Sequence, residues 1–147
     1  MATILLIHGP NLNRLGKRDA SNYGSKTLAD IEALVTAEAE ILGHGVKTFQ
    51  SNHEGALVDY LQNESESAEG IIINPGALTH YSYSLLDALT DTRLPCVEVH
   101  LSDINSREGW RKVSVTAPAC IAQISGKKEE GYVEALGLLS ERLAKGI

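Results

Sequence analysis

The stretch Ile4-Leu5-Leu6-Ile7-His8-Gly9-Pro10-Asn11-Leu12-Asn13 sets a continuous apolar run against an abrupt Gly-Pro stop. A run without alternation is the mark of a strand buried on both faces, as in a parallel sheet. The polar residues that follow then lie at the carboxyl end of a strand, which is where open α/β sheets hold their ligands. Arg18, Tyr23 and Gly24 come next on a segment longer than ordinary strand-to-helix connections, so 16–25 reads as an active-site lid.

The same grammar continues outward. Thr27 is placed to cap a helix whose stripe is Leu28, Ile31, Leu34, Val35 and Ile41, with Gly43 and Gly45 to end it. Val46-Lys47-Thr48-Phe49 is a second strand, and a helix starting at Asn52 or His53 buries Leu57, Val58 and Leu61. Ile71-Ile72-Ile73 is a β-branched third strand that stops at Asn74-Pro75-Gly76. Helical spacing runs over 78–89, and Cys96-Val97-Glu98-Val99 follows Pro95 as the fourth strand. In the harder segment 103–118, residues 107–113 can form a short helical turn. Cys120-Ile121-Ala122-Gln123-Ile124 is the last strand, and 131–143 a closing helix on Val133, Leu136, Leu139 and Leu143. This alternation predicts an α/β fold, a doubly wound five-stranded parallel sheet in the order 2-1-3-4-5, as a single domain over 1–147. Right-handed crossovers put every strand's carboxyl end on one edge, so the loops after strands one, three and four converge.

Composition narrows the classes. The 147 residues are 43% hydrophobic and 22% charged, which is globular composition. A net charge of -6 does not attract nucleic acid or an anionic membrane, so an anionic ligand must be held by particular cations. The start lacks a signal-peptide pattern and no run reaches membrane-spanning length, which predicts a soluble, cytoplasmic protein. Cys96 and Cys120 are the only cysteines and read as buried reduced thiols. The five histidines show no compact ligand spacing, so no metal site is expected.

The strand ends offer acid–base chemistry. A phenol is a poor base near neutrality unless positive charge favours its anion, and Arg18 lies five residues before Tyr23. Packing on the lid is the ordinary role of such a tyrosine. His100 is a candidate proton donor, with Glu98 on the same side of an extended segment to orient it; an edge histidine without chemistry is the plainer reading. Asn11, Asn13 and Asn74 present uncharged amides suited to hydroxyls, a carbonyl or an ordered water, although asparagine also serves turns beside Gly and Pro. His80 can donate to a ligand. Arg111, with the backbone amides of Leu101 and Ser102, can grip a carboxylate.

Several ordered blocks then carry a resemblance: Gly9-Pro10-Asn11-Leu12-Asn13 with Leu15-Gly16; Arg18 with Tyr23-Gly24; Gln50-Ser51-Asn52-His53-Glu54-Gly55; Ile72-Ile73-Asn74-Pro75-Gly76-Ala77-Leu78-Thr79-His80; and Val97-Glu98-Val99-His100-Leu101-Ser102 with Arg107-Glu108 and Arg111. Nearly the whole chain resembles the type II 3-dehydroquinate dehydratases. The resemblance implies a flavodoxin-like domain, assembled as trimers into a dodecamer, that converts 3-dehydroquinate to 3-dehydroshikimate and water through an enolate, without metal or organic cofactor. It implies Tyr23 as proton acceptor, Arg18 as stabiliser of its charged form, and His100 as proton donor. Asn74, His80, Leu101, Ser102 and Arg111 match substrate-binding positions, Asp87 a position contributed across a subunit boundary, and Asn13 and Glu98 supporting ones. Ala20 stands where the family often has proline, Asn22 where it has an aliphatic residue, and Arg14 where it is hydrophobic; Asn105 also departs. Ala20 is expected to leave the unbound lid less constrained. The competing reading is a flavodoxin-like module that binds flavin or a phosphorylated ligand, although Gly9-Pro10 lacks the usual glycine pattern for phosphate.

Overall fold

The apolar run at the head of the chain becomes β1 (Thr3–His8), the strand around which the sheet is built. A computed structural model describes residues 2–17 and 19–146. With β2 (Gly45–Gln50), β3 (Gly70–Asn74), β4 (Cys96–His100) and β5 (Ala122–Ser125), β1 forms a parallel five-stranded sheet in the order β2-β1-β3-β4-β5, as expected. Arg18 lies outside the described residues.

The α-helices are α1 (Ala20–Tyr23), α2 (Leu28–Ile41), α3 (Glu54–Glu64), α4 (Tyr83–Thr92) and α5 (Glu130–Ala144). Successive strand residues point to opposite faces, so β1 feeds two cores. Ile4 and Leu6 pack with Ile31, Val35, Leu136 and Leu139 of α2 and α5. Leu5 and Ile7 pack with Leu57, Leu61, Leu85 and Leu89 of α3 and α4. No helix of the described residues is long and apolar enough to cross a membrane.

Local details depart from the sequence reading. Ile41 is 77% exposed, because it sits about 240° around the helix from Val35; the buried stripe of α2 is Ile31, Val35 and Ala39. In α5 the buried positions are Gly131, Tyr132, Ala135, Leu136 and Leu139, whereas Val133 and Leu143 are only partly buried. The helical spacing over 78–89 is interrupted: a 3-10 turn covers Gly76–His80, and Ser82 restarts the chain as the N-cap of α4, accepting from the Leu85 N–H at 3.0 Å. The segment 103–118 holds 3-10 turns at Ile104–Ser106, Gly109–Lys112 and Ala117–Ala119. The last strand begins at Ala122, leaving Cys120 half-buried before it; its free thiol lies 3.5 Å from that of Cys96.

Two features bring the first and third strand ends together. His8 is the register partner of both Gln50 and Asn74, so β1, β2 and β3 finish level. Beyond them the loops interlock: the Gly9 N–H donates to the Asn74 carbonyl at 2.7 Å. A Cβ on Gly9 would fall 2.2 Å from the Pro75 carbonyl oxygen, and one on Gly76 would fall 2.9 Å from that of Pro10. Gly76 also has φ +62°, which a side chain would strain. Only glycine at both positions lets the two backbones touch and make one continuous wall.

Candidate active site

The converged strand ends enclose a cleft. Pro10, Asn11 and Leu12 line it after β1; Asn74, Gly76, Ala77 and His80 after β3; and His100, Leu101 and Ser102 after β4. Tyr23 closes one side, and Ile104, Arg107 and Arg111 the other. Of the residues singled out from sequence, Tyr23, Asn74, His80, His100, Leu101, Ser102 and Arg111 therefore meet in one place.

Tyr23 ends α1, a single helical turn. Asp19 caps it, its carboxylate accepting from the Ser21 N–H at 3.0 Å, the Ser21 hydroxyl at 2.7 Å and the Asn22 amide at 2.8 Å. These bonds, Ser21's first, hold the Asp19 carboxyl below the usual carboxylate range despite its exposure. Asn22 thus acts as a strut of the turn. Across the cleft, Arg107 donates from Nη2 to the Tyr23 oxygen at 3.2 Å and from Nη1 at 3.3 Å, while Nη1 also reaches the Ser102 hydroxyl at 3.2 Å. The guanidinium thereby gives the phenol oxygen two N–H donors.

The other wall is built on a buried carboxylate. Glu98 and Val99 alternate on β4, so Glu98 and His100 share a face, and His100 Nε2 lies 2.7 Å from Glu98 Oε2. Glu98 is fully buried and lies behind His100 rather than in the cleft. Oε2 also accepts from Ser114 at 2.8 Å, Gln123 at 2.7 Å and Thr79 at 3.0 Å, and Oε1 accepts from the Thr116 hydroxyl. Burial on its own would raise this carboxyl's pKa; the His100, Thr116 and Gln123 donors outweigh it and bring it to about 2. Glu98 is therefore an anion at working pH, and because it only accepts, the His100 Nε2 carries the hydrogen. The remaining ring nitrogen, Nδ1, is the one left to exchange a proton with a ligand.

His80 is oriented by its Nδ1 donating to the Val113 carbonyl at 2.6 Å, with its ring edge-on to Trp110 at 5.2 Å. Arg111 stacks its guanidinium carbon 4.2 Å from the Trp110 ring centre and pairs with Glu108. The Leu101 and Ser102 carbonyls accept from the N–H groups of Lys128 at 3.2 Å and Gly126 at 3.0 Å, which fixes the planes of those peptides.

One placement differs from expectation. Asn13 is exposed and absent from the cleft wall; the 3-10 turn Leu12–Arg14 buries Leu12 and turns Asn13 toward Gln50, whose amide is 3.5 Å from Asn13 Oδ1. Asn11, in the left-handed conformation with φ 70°, takes the wall position instead. Asp87, expected to serve a neighbouring copy, is exposed on α4 and does not line this cleft. Arg107, on the cleft wall and bonded to Tyr23, is a residue to which the sequence alone gave no role; its only signal was its place in the matched run. Among the described residues no cluster of three or more His, Cys, Asp or Glu side chains is arranged to hold a metal ion. The Gly9 N–H, committed to Asn74, is not part of a phosphate cradle.

Known proteins resemble the chain over the same extent. The family model described as dehydroquinase class II matches residues 2–140. The 3-dehydroquinate dehydratases of Bacillus cereus (strain AH187) and Bacillus anthracis (strain CDC 684 / NRRL 3495) are 50% identical over 143 residues, covering 97% of this chain and 98% of each relative. The crystal structure of the type II dehydroquinase from Butyrivibrio crossotus DSM 2876 matches with a TM-score of 0.91 at 41% identity, over 94% of this chain and 97% of that one. The type II dehydroquinase of Propionibacterium acnes also has a TM-score of 0.91, at 34% identity over 96% of this chain and 97% of its own. With sequence and fold agreeing from the first strand into the last helix, the chain belongs to the class II dehydroquinase family.

Proposed function

We propose that the chain converts 3-dehydroquinate to 3-dehydroshikimate and water, with Tyr23 as base and His100 as acid. The observation that carries this reading is the pairing of opposite tools across one cleft: a phenol oxygen 3.2 Å from the Arg107 guanidinium, and an imidazole backed by a buried carboxylate at 2.7 Å. Tyr23, as phenolate, takes the proton from the carbon beside the ketone, and the C–H electrons pass to the ketone oxygen as an enolate. Asn74 and an ordered water stabilise that oxygen. The enolate then reforms its carbonyl, the new carbon–carbon double bond expels the β-hydroxyl, and His100 gives it a proton so that it leaves as water. Arg111 and the Leu101–Ser102 amides hold the substrate carboxylate, and His80 donates to a hydroxyl. Both proton transfers use side chains of the chain itself, Tyr23 and His100. Purified protein given 3-dehydroquinate is expected to develop the ultraviolet absorbance of a conjugated enone at the same rate with and without a metal chelator. No absorbance, or its loss with chelator, rejects the reading.

The family's assembly extends the proposal. Trp110 and Val113 touch His80 on the cleft wall, Tyr81 follows it in the chain, and with Tyr83 they are more than half exposed; large apolar side chains left in water favour a partner. Tyr83 and Asp87, four residues apart on α4, share an outward face. Copies of the chain pair through this patch as trimers that build a dodecamer, and Asp87 reaches a neighbour's cleft. Co-expressing Tyr23→Phe and Asp87→Ala subunits, each inactive alone, is expected to restore activity, since some mixed sites hold an intact Tyr23 beside an intact Asp87. If Asp87 serves its own cleft, mixing restores none.

A further inference from the structure

Asn74 is the last residue of β3 and only 4% exposed, so its amide has little water to settle which way it faces. Two neighbours settle it. The Gly76 N–H donates to Asn74 Oδ1 at 3.0 Å, which only an oxygen can accept. The nitrogen end is thereby turned toward α5, where Nδ2 donates to the Tyr132 hydroxyl at 3.3 Å. One of its two hydrogens is used there, and the other is left for the cleft that Asn74 lines.

Tyr132 is fully buried at the start of α5, and its position there depends on its neighbour. A Cβ on Gly131 would lie 3.3 Å from both Ile124 and Val99, so the bare glycine lets the first turn of α5 settle close to β4 and β5. His8, the register partner of Asn74, tilts its ring against Tyr132 at 6.3 Å and 54°, and its Nε2 lies 3.4 Å from Glu32. Burial first, with the Glu32 charge adding and the Asn74 bond opposing, pushes the Tyr132 phenol up to about 12. The hydroxyl stays neutral across the working range and remains an acceptor.

We propose that Tyr132 is a positioning residue of the dehydration, acting through Asn74 by holding its amide so that one N–H points into the cleft. The inference rests on the reading above that Asn74 serves the substrate or its enolate. A tyrosine that only filled the core would be replaced by phenylalanine without kinetic consequence, because the ring and its packing survive.

The test is a double-mutant cycle read by steady-state kinetics on 3-dehydroquinate, with each variant's melting followed to establish that it is folded. Tyr132→Phe is expected to lower kcat/KM about tenfold, and Asn74→Ala to lower it further. The double variant is expected to be no slower than Asn74→Ala alone, since the hydroxyl has nothing left to orient. Wild-type kinetics in Tyr132→Phe beside an impaired Asn74→Ala would overturn the positioning role alone. So would a double variant whose loss is the product of the two single losses. Wild-type kinetics in Asn74→Ala would instead overturn the assignment of Asn74 to the site, and this inference with it.

Discussion

Tyr23→Phe is expected to lower turnover by about 10²- to 10⁴-fold, the range supplied by a general base, while the fold and ligand binding persist. The variant removes one oxygen and leaves the ring. That oxygen is the atom to which two Arg107 nitrogens point, at 3.2 and 3.3 Å, so the loss falls on the one atom of the ring that the cleft holds by hydrogen bonds. The α1 turn should survive, because it is held by the Asp19 carboxylate and the bonds it accepts from Ser21 and Asn22, none of which involves the phenol. Measuring kcat with 3-dehydroquinate checks this, together with binding of the product as a non-reacting ligand. Near-normal turnover in a clean preparation would remove Tyr23 from the role of base.

Glu98→Ala is expected to cost about 3–5 kcal/mol of stability and to cut activity as well. The carboxylate is the common acceptor for His100, Thr79, Ser114, Thr116 and Gln123, all drawn to it from different segments, and an alanine leaves those donors facing a void. Loss of the acceptor also frees the His100 ring that the carboxylate orients. The wild type should report the same group through acid. With the folded-state pKa near 2 and an ordinary value of 4.5, Glu98 contributes about 3 kcal/mol above pH 4.5, lost progressively as pH falls toward 2. Urea midpoints at pH 7, 5 and 3 should therefore fall more steeply for the wild type than for Glu98→Gln, whose side chain does not titrate. Parallel curves would contradict the view that Glu98 is a buried anion.

What could be read from the residues follows how local the physics is. The strands were legible because runs such as Ile4–Ile7 and Ile71–Ile73 are apolar without alternation, and their stops at Gly9-Pro10 and Pro75-Gly76 mark the edge where the cleft lies. His100 and Glu98 were legible as a pair because two residues on one strand share a face. Arg107 was not, since its partner Tyr23 is 84 residues away and only the folded chain joins them. The break before α4 escaped notice because leucine spacing continues across it; the cap is a single serine hydroxyl bonded to the Leu85 N–H. Asn11 and Asn13 are alike as residue types, and only the 3-10 turn that Asn11 caps and Asn13 belongs to decides which lines the cleft. At Ala20 the sequence shows only a residue that restrains the backbone less than proline does; the Asp19 cap and the Asn22 amide bonded to it are visible only in the folded turn.

The division of labour between a base on one wall and an acid on the other is tested most directly in D₂O. Proton NMR of 3-dehydroquinate follows exchange of the hydrogen beside the ketone separately from formation of the enone. His100→Ala, with Tyr23 intact, is predicted to keep exchanging that hydrogen for deuterium while forming product at least about 10²-fold more slowly. Tyr23→Phe is predicted to do neither. Exchange at the wild-type rate in Tyr23→Phe, or product formation at the wild-type rate in His100→Ala, would contradict the assignment.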